Sequence, residues 1–151
     1  MEKVTIHLGD PGSPDARKLI AELDNYLSSL YPAESNHLLS VEALRRSNVT
    51  FLMAQINGKA AGCGAFVNFG DYAEIKRMFV LPDLRGKGIG RRILAELEKR
   101  ARLDGLTVSR LETGVSQPEA LKMYERSGYQ RRGVFATYTD DPLSVFMEKK
   151  I

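Results

Sequence analysis

The sequence predicts an α/β protein: a mixed, mostly antiparallel sheet of six to seven strands with helices on both faces. Three observations lead there. Two long segments carry an apolar stripe of helical period, one near the start and one after Pro82. Three consecutive stretches of strand character lie between them. The second helical segment joins two strands, and a strand–helix–strand unit calls for a parallel, right-handed crossover inside an otherwise antiparallel sheet.

Val4-Thr5-Ile6-His7-Leu8 is a first strand. Ser13-Pro14-Asp15 opens a helix with a capping hydroxyl, a proline in the first helical position and an acid in the first turn. Ala16, Leu19, Ile20, Leu23, Leu27 and Leu30 form its apolar stripe, and Tyr31-Pro32 stops it. Ser40 caps a short second helix through about Arg46. Val49 to Ile56 runs as a strand into Asn57-Gly58, a tight-hairpin signal. Ala60 to Phe69 returns, Gly70-Asp71 turns, and Tyr72 to Leu81 is the next strand, ended by Pro82.

Ile89, Ile93, Leu97 and Ala101 then recur every four residues, with Glu96–Arg100 and Glu98–Arg102 as acid-before-base pairs. Gly105 ends that helix. Val108 to Thr113 is a strand. Ser116-Gln117-Pro118-Glu119 has the spacing of a capping box for a helix that stops at Gly128. Tyr129 to Tyr138 and Leu143 to Lys149 complete the sheet.

No linker, repeat or low-complexity tract divides the chain, so residues 1–151 read as a single domain. Apolar residues make up 43% and charged residues 27%, which sets aside a disordered or fibrous chain. No apolar run approaches the roughly 18–20 residues that span a bilayer, and no secretory signal opens the sequence, so no membrane partner is expected. A single cysteine, Cys63, forms no internal disulfide and builds no metal site. A reducing, cytoplasmic location and no metal are the expectations. The net charge of +3 is far from the excess typical of a nucleic-acid binder, so no nucleic acid is expected as a partner.

One basic cluster stands apart. Arg85, Lys87, Arg91 and Arg92 fall in a stretch without acids that holds Gly86, Gly88 and Gly90. A strand ends there, a glycine-rich loop follows and a helix begins. Free N–H groups and the positive end of the helix dipole gather at such a point, and glycines admit a ligand to the backbone. The chemistry suits a pyrophosphate. The P-loop pattern is absent, because Lys87 precedes Gly88 rather than a hydroxyl. The dinucleotide fingerprint also fails, because its third glycine would fall at Arg91.

Arg85-x-x-Gly88-x-Gly90 after a strand resembles the acetyl-CoA signature of the GNAT superfamily of N-acetyltransferases. Glu74 to Pro82 resembles that family's fourth strand, Leu111-Glu112-Thr113 its fifth, and Ala120 to Tyr129 its last helix and following strand. The likeness covers nearly the whole chain and its element order. It implies the GNAT acyl-CoA N-acyltransferase fold and acetyl-CoA as co-substrate, bound by Arg85, Gly86, Lys87, Gly88, Ile89, Gly90 and Arg91. It also implies a bulged fourth strand whose unpaired backbone groups, near Phe79 and Val80, face the pantetheine and thioester. Tyr124 takes the place of the family's helix tyrosine, which protonates the leaving thiolate. Gln117 stands where many members carry an asparagine that contacts pantetheine, a departure that changes the reach of the amide.

Glu74 is the first candidate for the general base, with Glu112, Glu34, His37 and an ordered water as others. Glu74 is expected to share strand parity with Lys76, Met78 and Val80. Tyr31, Asn36, His37, Arg77 and Tyr138 are the candidate acceptor-site residues, Arg77 as a carboxylate clamp. Nothing supports a covalent intermediate on Cys63, so direct transfer to a small-molecule or amino-acid-like amine is the leading expectation. A protein lysine or N-terminal acetyltransferase and a non-catalytic acyl-CoA sensor are the alternatives. The family's habit implies a homodimer.

Overall fold

A computed structural model describes residues 2–151. Its strands are β1 (Val4–Leu8), β2 (Val49–Ile56), β3 (Lys59–Asn68), β4 (Ala73–Val80), β5 (Val108–Gly114), β6 (Gln130–Arg132) and β7 (Ser144–Lys150). Its helices are α1 (Pro14–Leu30), α2 (Val41–Leu44), α3 (Ile89–Leu103) and α4 (Pro118–Arg126). Short 3-10 turns stand at Ala33–Ser35 and Pro82–Leu84. The strands form one sheet in the order β1-β2-β3-β4-β5-β7-β6. Every neighbouring pair is antiparallel except β4–β5, where α3 carries the chain across and makes the pair parallel. The predicted mixed sheet is the observed one.

Helices cover both faces. Ile93, Leu94 and Leu97 of α3 pack with Leu52, Phe66, Ile75, Leu111 and Met147, all nearly inaccessible to water. On the other face Ala16, Leu19, Ile20 and Leu23 of α1 meet Phe51, Met53, Cys63, Ala65 and Phe79. Each large apolar side chain so buried contributes about 1.5–3 kcal/mol. The local signals act as expected. Ser13 Oγ accepts the Ala16 N–H (3.3 Å) ahead of Pro14. Asn57 and Gly58 both have positive φ, which a two-residue hairpin turn requires.

Three local expectations change. Ser116 is not a cap: Gln117 stands at the N-cap of α4 and donates no side-chain cap. Its Oε1 instead accepts the Gly114 N–H (3.2 Å) and the Tyr31 hydroxyl (3.1 Å). Glu98 does not pair with Arg102; it turns inward to Lys149 Nζ (2.8 Å) and the Tyr129 hydroxyl (2.9 Å). The strand expected from Tyr129 to Tyr138 ends at Arg132. Beyond it Phe135 and Tyr138 stack edge-on against each other and against Tyr72, Phe146 and His37. Aromatic packing from a loop replaces strand pairing there.

Candidate active site

The site begins with an irregularity in β4. Cys63 pairs with Phe79 and Ala65 with Lys76, so Gly64 alone faces both Arg77 and Met78. This is a bulge, and Arg77 takes a left-handed backbone (φ 57°) to form it. Side-chain parity slips by one residue. Ala73 and Ile75 point toward α3, as do Met78 and Val80. Glu74, Lys76, Arg77 and Phe79 point toward α1. Glu74 therefore shares its face with Lys76 but not with Met78 and Val80, because the inserted residue reverses the alternation. A Cβ on Gly64 would crowd Met78 Sδ (2.5 Å) and Ile93 (2.8 Å), so a glycine opposite the bulge is a packing requirement.

Beyond Ile75 β4 also loses its neighbour. The β4–β5 ladder holds only Ala73–Ser109, Glu74–Arg110 and Ile75–Leu111. From Lys76 onward one edge of β4 faces a gap instead of a strand. A cavity of about 90 Å³ opens there, lined from α1 through the 31–39 segment to β4, the end of β5 and α4. Tyr31, Asn36, His37, Lys76, Arg77, Met78, Glu112, Gln117 and Tyr124 contribute to its wall.

Three of these side chains have chemistry to spare: the buried Nε2 of His37 has no hydrogen-bond partner among the described residues, and Tyr124 and Glu112 are the other two. Tyr124 is nearly buried, and its hydroxyl makes no hydrogen bond with any described residue. Burial, reinforced by the charge of Glu112, holds its phenol well above the ordinary range, so it stays protonated. Glu112 Oε2 accepts the Ser144 hydroxyl (2.8 Å). Burial pushes its carboxyl up to about 7, a rise that the Ser144 hydrogen bond and Lys76 only partly offset.

The glycine-rich loop lies where β4 hands over to α3. Gly86 (φ 82°) and Gly88 (φ 78°) take the left-handed backbone that favours glycine. Gly88 is the N-cap of α3 and offers no side chain, and Arg92 is the first residue to donate into the helix, to Gly88 O (3.1 Å). The N–H groups from Gly86 through Arg91 find no acceptor among the described residues. Gly90 faces Val80 and Met123, which ties this anion-ready row to the open end of β4 and to α4. The basic side chains stand outside the row. Arg85 Nε donates to Val80 O (3.0 Å), Lys87 pairs with Glu2 (3.0 Å), and Arg91 is exposed.

A splayed parallel pair with a bulge, an uncapped glycine loop at its mouth and a buried tyrosine in the gap is the arrangement the sequence resemblance implied. The profile of the Acetyltransferase (GNAT) family matches residues 16–129. The chain belongs to the GNAT acetyltransferase family. Over its full length it is 47% identical to the IAA acetyltransferase of Azospirillum brasilense, covering all of both chains. It is 36% identical to an uncharacterised N-acetyltransferase of Bacillus subtilis, over 89% of this chain and 93% of that one. A solved Klebsiella pneumoniae protein, a candidate acyl-CoA N-acyltransferase, superposes with a TM-score of 0.83 at 38% identity over 97% of each chain. The GNAT fold extends to the PaiA N-acetyltransferase of Thermoplasma acidophilum, solved with coenzyme A, at a TM-score of 0.75 and 19% identity over 99% of each chain.

Within this GNAT enzyme the predicted site residues separate. Tyr31, Asn36, His37, Gln117 and Tyr124 come together on the cavity wall. Tyr31 is largely spoken for, since its hydroxyl donates to Gln117 and accepts the Ser116 N–H (3.1 Å). Glu74 does not reach the wall. It is nearly buried, accepts the Tyr138 hydroxyl and pairs with Lys76 Nζ (3.1 Å). Tyr138 does not line the cavity: its hydroxyl joins that network between Glu74 and Lys76, and its ring packs against the wall residue His37. Arg77 lines the cavity, but its guanidinium serves Leu39 O (2.9 Å) and Asp24 on α1. It is no free carboxylate clamp, because the fold already supplies its anion. Glu34 is exposed and off the wall. Phe79 belongs to the α1-side core, and Arg85 lies over its ring. Cys63 is buried and its thiol is pushed up to about 12, which removes it as a nucleophile.

Sequence reasoning missed Lys76, Asp24, Gly114 and Ser144. Their signal lies in tertiary pairing and in no local spacing. Among the described residues no group of His, Cys, Asp and Glu is placed to hold a metal ion, and no helix is long and apolar enough to cross a membrane.

Proposed function

We propose that the protein transfers an acetyl group from acetyl-CoA directly to the amine of a small-molecule acceptor held in the cavity between the 31–39 segment and β4–β5. One observation carries this. A row of unbonded N–H groups, Gly86 to Arg91, opens beside the free edge of β4, and that edge leads to a cavity holding an unbonded phenol and a carboxyl with a raised pKa. Acetyl-CoA supplies an activated thioester when bound, and its diphosphate fits the N–H row at the start of α3.

The chain's own groups have four tasks. The loop N–H groups hold the anion. The free edge of β4 offers amides to a developing oxyanion. Glu112 accepts the proton of the acceptor ammonium, directly or through water. It replaces Glu74 as the preferred base because it reaches the cavity and titrates near neutrality. Tyr124 donates a proton toward the departing sulfur. With the phenol so far raised, full transfer is uphill, and the hydroxyl acts first as a hydrogen-bond donor to the growing thiolate.

Mass-detected acetylation and thiol release across a panel of amines test this reading. Turnover with small amines is expected. Calorimetric binding of acetyl-CoA without turnover of any amine would assign the chain as a sensor, and turnover of peptide lysine alone would assign it to protein acetylation.

A further inference from the structure

The geometry points to an acceptor that is a cationic amine without a neighbouring anionic group, preferred over the amino acid of the same side chain; this rests on the acetyl-transfer reading above. The charge balance of the cavity wall carries it. Lys76 and Arg77 are the permanent cations of the wall, and either type of side chain would suit a ligand carboxylate.

Neither is free. Lys76 Nζ has three donors and meets three acceptors: Glu74 Oε2 at 3.1 Å, His37 O at 3.3 Å and the Tyr138 hydroxyl. Arg77 is nearly buried between Leu39 O and Asp24. Turning Lys76 toward a ligand would take the cation from the almost fully buried carboxylate of Glu74, and turning Arg77 would give up both Asp24 and Leu39 O. The acids are less completely matched. Glu112 forms no ion pair among the described residues and has only the Ser144 hydroxyl on one oxygen. Asp141 accepts the Ser35 hydroxyl (2.6 Å) and does not line the cavity. On the wall itself Glu112 is the acid without an ion pair among the described residues, while Glu74 and Asp24, which neutralise Lys76 and Arg77, stand behind it. An incoming ammonium meets the unpaired carboxylate of Glu112. An incoming carboxylate finds both permanent cations of the wall, Lys76 and Arg77, already paired and faces a like charge, the arrangement by which sites reject a wrong partner.

Pairs that differ only by the carboxylate test this: phenethylamine against phenylalanine, tyramine against tyrosine, putrescine against ornithine. The readout is kcat/KM from acetyl-CoA thiol release by the wild-type enzyme. The amine of each active pair is expected to lead by about tenfold or more, since one unmatched like charge weighs at least this much in a desolvated site. Equal values, or a lead for the amino acid, would overturn the inference and leave acetyl transfer standing. No thiol release from any pair or other amine, with acetyl-CoA demonstrably bound, would overturn acetyl transfer itself. Asp24→Asn supplies the second arm. It frees the Arg77 guanidinium and is expected to narrow the ratio, chiefly through a lower KM for the amino acid. An unchanged ratio in a folded D24N protein would remove Arg77 neutralisation as the cause.

Discussion

Glu112 and Tyr124 differ in what burial does to them. Burial raises the pKa of both, but the carboxyl comes to titrate near pH 7 while the phenol leaves the working range altogether. A base must be ionised, so kcat/KM should climb as pH rises through about 7, the value burial gives Glu112. Glu112→Gln should abolish that limb along with most activity, whereas Glu74→Gln should leave the midpoint in place. The stability consequence has the opposite sign. The folded value lies above the unfolded value of about 4.5, so the folded state holds the extra proton between the two. Stability therefore declines as pH rises from about 4.5 through 7, by roughly 3 kcal/mol at the upper limit. Glu112→Gln should be the more stable protein at pH 8 in urea unfolding, with the difference vanishing below pH 5. No gain at pH 8 would show that the carboxylate is better solvated than its setting implies. Tyr124→Phe keeps the ring packing against Tyr129 and removes only the donor, so kcat should fall roughly 10²-fold with little change in KM. Tyr124 was named from the family's helix tyrosine, and it lines the cavity. The preference for Glu112 over Glu74 was not legible in the sequence, because it turns on tertiary pairing: Lys76 and Tyr138 engage Glu74 away from the cavity, while Glu112 lines it with only the Ser144 hydroxyl as partner.

Elements were easiest to read where a backbone requirement forces the residue. Asn57-Gly58 and Ser13-Pro14 fixed a turn and a helix start, and both stand as expected. Elements were hardest to read where tertiary packing decides. The 129–138 stretch has strand composition, yet its aromatic rings are held by Tyr72, Phe146 and His37, and only Gln130–Arg132 pairs with β7. Gly114 belongs to the same class. It ends β5, and a Cβ there would collide with the hydroxyl end of Tyr31. That contact lets Tyr31 reach Ser116 N and Gln117 Oε1, joining the end of α1 to the start of α4 across the acceptor cavity. Gly114→Ala should therefore destabilise the protein by about 1–3 kcal/mol through overpacking. It should also raise the KM of the acceptor more than that of acetyl-CoA, because Tyr31 is on the cavity wall and the 86–91 loop is not. Denaturant unfolding with two-substrate kinetics checks both. An equal rise in the two KM values would mean that the strain spreads beyond the Tyr31 joint.

At the scale of the whole molecule, one sheet is nearly two. β1 to β4 form one half and β5-β7-β6 the other, and only three residue pairs between β4 and β5 hold them in register. The apolar core under α3 bridges the halves below the gap, so the opening does not depend on the ladder for its stability. The 86–91 loop, the free β4 edge and the acceptor cavity then follow one another along the opening. That layout explains why the loop was readable from sequence alone: its chemistry is backbone chemistry, and glycines at fixed spacing announce it. It also separates binding from folding. Gly88 has φ of 78° and no neighbour closer than Arg91 at 3.8 Å to a Cβ built there. Gly88→Val should cost the unliganded protein only the left-handed strain, about 1–2 kcal/mol. The loop would have to leave that conformation to relieve the strain, and the N–H groups would no longer converge. Wild-type protein at a hundredfold excess over Kd should gain about 2.7 kcal/mol from acetyl-CoA, a clear rise in Tm. The variant should unfold cooperatively at a modestly lower Tm and show almost no such rise. A full ligand-induced shift in Gly88→Val would mean that the diphosphate is held elsewhere, and the order of loop, edge and cavity along the opening would lose its functional meaning.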